Sequence, residues 1–90
     1  MKTHEHELKC TPLYFHLVCS GRKRFEFRVN DRGFRAGDRL RLLEYDGVLY
    51  TGKWALVLVD FILSDVPGLG EHFVIMSITV QETGSYTPVP

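Results

Sequence analysis

Hydrophobic and polar residues alternate along much of this chain with a period of two, and the breaks in that alternation mark its elements. "HEHELKC", His4 to Cys10, alternates weakly and predicts a short strand. "TPLYFHLVCSG" loses the alternation and carries helix punctuation. Thr11 can cap, Pro12 suits a first helical position that needs no N–H, and Gly21 can close the helix in a left-handed conformation. A helix from Pro12 to Cys19 or Ser20 is expected. "RFEFRVN" then alternates strictly, with Phe25, Phe27 and Val29 on one face and Arg24, Glu26, Arg28 and Asn30 on the other, which predicts a half-buried strand.

"DRGFRAGD" is turn chemistry, with Asp31 the expected local cap and Asp38 able to form a similar bond. "RLRLLEY" resumes alternation, and the Leu42-Leu43 pair breaks its phase as one extra residue in a bulge would. Asp46-Gly47 and Thr51-Gly52 signal a hairpin into "WALVLVDFIL", whose nearly continuous apolar run predicts a central strand buried on both faces. "SDVPGLGEH" is a loop and "FVIMSITV" a last strand, while residues 83–90, with little apolar content and two prolines, are expected to be a flexible tail. The order is strand, helix and four more strands. It predicts a mainly β (α+β) fold, a small and mostly antiparallel barrel with one short helix at its end, as a single domain over residues 1–82.

Ninety residues with 44% hydrophobic content suit one core. Eleven basic residues against eleven acidic ones exclude nucleic-acid binding through bulk charge, although a local stripe can hide in a neutral total. Such a stripe is present: "SGRKRFEFRVNDRGFRAGD", residues 20–38, holds six of the eleven Lys and Arg residues and three of the acids. Cys10 and Cys19, about 13 Å apart if a helix joins them, are expected as free thiols in a reducing compartment. No leader or membrane span is legible, so a cytoplasmic location is expected; the sequence leaves the oligomeric state open, with a monomer the expectation. His4 and His6 share a strand face without a third ligand, and His16 and His72 are isolated, so neither metal nor cofactor is expected.

Gly21, Lys23, Glu26 and Arg28 form the pattern G-x-K-x-x-E-x-R between the helix and the strand. With "HELKC" plus Pro12, Tyr14 and Phe15, and with the block from Asn30 to Asp46 that includes Phe34, Gly37 and Asp38, this resembles the ASCH domains of the PUA-like superfamily, in particular a small bacterial and phage subfamily of unknown function. The resemblance spans roughly residues 4–80. It implies a PUA-like β-barrel that binds RNA or a modified nucleoside in a cleft between helix and sheet. In one group of small ASCH proteins it also implies hydrolysis of N4-acetylcytidine by the motif lysine, a threonine three residues on and a downstream glutamate. Lys23 matches that lysine, and Glu26 stands at the threonine's position.

Seen this way, Lys23 lies between Arg22 and Arg24, a setting that suits a nucleophile or base. Glu26 and Arg28 are either an exposed ion-pair row or, if the "HELK" strand closes over them, a cleft wall. There Glu26 accepts from a base amino group while Arg28 and Lys9 meet phosphate or carbonyl oxygen. Arg32 can reach a phosphate, and Tyr14 and Tyr45 can stack on a base. If there is hydrolysis, Lys23, Glu26 and Asp60, the one charge inside the long apolar run, are the candidate catalytic groups.

Overall fold

The structure, a computed structural model, describes residues 3–86. Its elements follow the order expected from the pattern: β1 (Glu5–Cys10), α1 (Pro12–Cys19), β2 (Phe25–Val29), β3 (Arg39–Tyr45), β4 (Tyr50–Ser64) and β5 (Phe73–Ser85). They form one five-stranded sheet in the order β1-β3-β4-β5-β2, antiparallel except where β1 lies parallel to β3. The fold is mainly β and barrel-like, with one short helix.

Thr11 has the extended backbone of an N-cap residue, but its side chain makes no capping bond; its carbonyl accepts from the Phe15 N–H at 2.8 Å. At the other end Gly21 takes φ +78°, and the N–H groups of Arg22 and Lys23 both donate to the Leu17 carbonyl, at 3.0 and 2.9 Å. That closure fixes where the backbone of Lys23 leaves the helix. Phe15 and Val18 turn inward to join a core built from Leu8, Leu40, Leu42, Ala55, Val57, Val59, Val74, Met76 and Ile78.

Bulges curl the sheet. The register shifts once in the β3–β4 pairing, between Leu43 and Tyr45, and twice along β4 against β5. The two edge strands are thereby drawn together and joined by side chains instead of a backbone ladder. Arg28 Nη2 donates to the Lys9 carbonyl and Arg32 Nη1 to the Glu7 carbonyl, both at 2.7 Å. Two arginines from β2 and the loop after it thus satisfy carbonyls of β1 that β3 leaves free.

Several expectations need correction. Burial on β2 runs in the opposite phase: Phe25, Phe27 and Val29 are exposed, and Glu26 is buried at 3%. The long β4 run is not buried on both faces. Ala55, Val57 and Val59 point to the core, while Trp54, Leu56 and Leu58 are half-buried because no second layer covers them. In the β2–β3 loop it is Asn30, through Oδ1, that accepts from the Phe34 N–H, not Asp31. The last strand runs on to Ser85, pairing Thr83, Gly84 and Ser85 with Ala55, Trp54 and Lys53, so residues 83–85 are strand and not tail; residues 87–90 of the expected tail lie outside the described residues.

Gly84 shows why that extension needs its sequence. A Cβ there would overlap the Trp54 indole that lies across it. Gly84→Ala is therefore expected to cost about 1–3 kcal/mol by overpacking, read as a lower urea midpoint.

Candidate functional site

A cleft of about 590 Å³ opens between the end of β1, helix α1 and the free edge of β2. At its base the Glu26 carboxylate is held from both sides. Lys23 Nζ donates to Oε1 at 2.9 Å, and Arg28 Nε donates to Oε2 at 3.0 Å. Two cations at this distance are what allow a carboxylate to lie almost out of water. Lys23 is fixed further by a 2.8 Å bond to the Phe25 carbonyl and lies 5.2 Å from the Tyr14 ring centroid and 5.0 Å from that of Phe25. Its nearest charged partner is therefore Glu26, not the arginines beside it in the chain; Arg24 turns back to the Gly21 carbonyl at 3.0 Å.

The rest of the lining is mixed. Tyr14, Leu17, Phe25 and Phe27 supply flat apolar walls, and Lys9 and Arg22 add positive charge that Glu26 does not balance. Four cations and one carboxylate thus face a single cleft in a chain whose formal charge is zero. Such a cleft attracts an anionic or carbonyl-rich ligand with a planar part. Cys10 also lines it. Burial foremost, then the neighbouring Glu26 carboxylate, pushes its thiol up to about 11, so it stays protonated at neutral pH and is no nucleophile.

Of the expected site residues, the fold brings Lys9, Tyr14, Lys23, Glu26 and Arg28 into this cleft. Arg32 and Tyr45 are not among them. Arg32 is spent on the β1 edge, and Tyr45 lies under the Lys9 ammonium, 4.5 Å from Nζ to ring centroid, beside Tyr50. Asp60 is exposed in a β4 bulge, where its carboxylate accepts from Thr79 Oγ1 at 2.6 Å, and it does not line the cleft. Cys10, Arg22, Phe25 and Phe27 line it without having been singled out. Phe25 and Phe27 flank Glu26 in the chain, and on an edge strand such side chains can border the same opening.

A second polar centre lies at the far end of β1. Asp38, 2% exposed, accepts from His6 Nε2 at 2.9 Å, from the Arg35 N–H at 3.0 Å and from the His4 N–H at 3.2 Å. It ties β1 to the loop before β3. Among the described residues no three His, Cys, Asp or Glu side chains are grouped to hold a metal ion, and no helix is long and apolar enough to cross a membrane.

This arrangement can be set beside known sequences. An uncharacterized 12.9 kDa protein encoded in the GpA 3' region of Escherichia phage P2 is 39% identical over 66 residues, which are 73% of this chain. Those residues are 57% of the phage protein, so the chain spans little more than half of that relative's length. A family match covers residues 5–78, from the first strand into the first half of the last and including every residue that lines the cleft. By that match the chain belongs to the family described as a domain of unknown function (DUF3850).

Proposed function

We propose that this chain is an ASCH-type module with a PUA-like barrel that binds single-stranded RNA or a modified nucleoside in the cleft between α1 and β2. The observation that carries the reading is the buried Glu26 carboxylate clamped by Lys23 and Arg28 beneath apolar walls. A surface that only grips phosphates has no use for a buried acid. A pocket that reads a base edge does: Glu26 accepts from an exocyclic amino group, and Lys23 and Arg28 donate to ring carbonyl or nitrogen acceptors. Tyr14 stacks on the ring, and Lys9 and Arg22 at the rim meet phosphate.

Two or three phosphate contacts give a shallow salt dependence, with log K falling by about 0.7 per contact for each tenfold rise in salt. Fluorescence anisotropy with short single-stranded RNAs at two salt concentrations is expected to show saturable binding with that slope. Folded protein that binds at neither concentration would refute the reading.

One feature of the same cleft favours a second, catalytic reading. Lys23 is within hydrogen-bond reach of a carboxylate whose other oxygen is oriented by Arg28, the arrangement an activated nucleophile or acid–base pair needs. The matching reaction is hydrolysis of an acylated exocyclic amine such as that of N4-acetylcytidine. Water adds to the acyl carbon, the C–N bond breaks, and the amine leaves with a proton. Lys23 and Glu26 are the groups for this step; Asp60 does not line the cleft. Incubation with N4-acetylcytidine would release cytidine and acetate, with loss of release in Lys23→Ala; no release by the wild type removes this reading and leaves the first intact.

A further inference from the structure

On the side of the sheet away from the core, the strand register builds an apolar face. In one row Phe27 of β2 pairs across Ile75 of β5 to Leu63 of β4. In the next, Phe25 and Phe61 share Ser77 as their β5 partner. Phe73 extends the face, stacked on Phe27 with ring centroids 5.2 Å apart. Phe25 and Phe27 are each 47% exposed, Phe61 63% and Leu63 45%.

With roughly 200 Å² per phenylalanine, the exposed parts of these three rings alone leave on the order of 300 Å² of apolar surface. The aliphatic neighbours bring the face to on the order of 500 Å², the size at which an exposed patch marks an interaction site. Two such faces together reach the ~1,000 Å² that a specific interface needs.

Charge selects the occupant. None of the side chains in these rows is ionisable, and the Asp60 carboxylate, beside Thr79, is one of the charged groups that border them. Lys23, whose ammonium lies 5.0 Å from the Phe25 ring, is committed to Glu26 inside the cleft. Within these rows a phosphate-bearing strand therefore finds no partner cation, and a polar protein surface would lose water without gaining hydrogen bonds. The matching surface is another flat, uncharged, aromatic one, which a second copy presents by two-fold symmetry.

We propose that two copies of this chain pair face to face through the outer surface of β2, β5 and β4. The pairing replaces the monomer expected from the sequence. It also backs the cleft, because Phe25 and Phe27 belong to both the face and the cleft wall.

Sedimentation velocity of the 10.4 kDa chain over a wide concentration range tests this. Wild-type protein is expected to approach twice that mass at high concentration and to return to it on dilution. Phe61→Asp is expected to raise the dissociation constant at least tenfold with an unchanged circular dichroism spectrum. If that variant misfolds, Leu63→Lys at the end of the same strand serves in its place. Wild-type protein that stays at the monomer mass throughout, or folded variants that dimerise as well as wild type, would overturn the proposal. So would a monomer that gains mass only with single-stranded RNA and loses that gain in Phe61→Asp, which would make the face a stacking platform.

Discussion

Replacing Glu26 with leucine is expected to destabilise the domain by about 3 kcal/mol, the low end of the cost of breaking a buried ion pair. Leucine fills much of the same space, so the loss is electrostatic. It strands the Lys23 ammonium and the Arg28 guanidinium, whose side chains are only 13% and 29% exposed. That partial contact with water is why the low end applies. Urea unfolding at neutral pH reads the effect directly, and a leucine variant as stable as wild type would contradict the clamp. Glu26→Gln keeps the shape and one acceptor oxygen, so it is expected to fold with a smaller loss. It is therefore the variant that reports on ligand recognition, where weakening of RNA binding by at least tenfold is expected.

Asp38→Ala is expected to cost about as much, about 3 kcal/mol, because it leaves two backbone N–H groups and the His6 ring without their acceptor where Asp38 itself is almost out of water. The same residue sets a pH dependence. Burial pushes the Asp38 carboxyl up, but the bonds from His6, from the His4 N–H and from the Arg35 N–H outweigh it and hold the group below its ordinary value of 3.8. A carboxyl lowered on folding contributes stability that is fully present above its unfolded pKa and is lost as pH falls through its folded one. The wild-type urea midpoint is thus expected to change little from Asp38 above about pH 5 and to fall below about pH 4. Asp38→Asn, which cannot titrate, is expected to start lower and to lose less over the same acid range. An equally steep acid loss in that variant would mean that other carboxyls carry the dependence.

The sequence made the element order legible because turn and cap residues punctuate it: Pro12 and Gly21 bound the helix, and Asp46-Gly47 marks the hairpin. It did not disclose which face of β2 is buried. Alternation gives the period of a strand and not its phase, and hydrophobicity alone would turn Phe25, Phe27 and Val29 inward. The opposite happens because Glu26 brings its own neutralising partners, Lys23 three residues before it and Arg28 two after, so the polar face can be buried without an unpaired charge. Composition was equally silent on β4, since one long apolar run reads the same whether one face is covered or two. Asp60, inside that run, had to lie near water or face the cleft, and a bulge that the sequence does not mark carries it out to Thr79. The core of the site was legible as a block of chain, Lys23 to Arg28. Lys9 and Tyr14 were legible as part of its walls, but Cys10 and Arg22 were not, because the cleft closes only once β1 and the end of α1 are brought over the edge of β2.

The central claim is that the cleft over Glu26 holds a nucleobase. Titrating a short single-stranded RNA or a nucleoside into isotope-labelled protein, followed by amide chemical shifts, tests it most directly. Saturable shifts concentrated at Lys9, Cys10, Tyr14, Lys23, Glu26 and Arg28 are expected, and their loss in Glu26→Gln. Shifts centred elsewhere on the sheet, or none with folded protein, would contradict it.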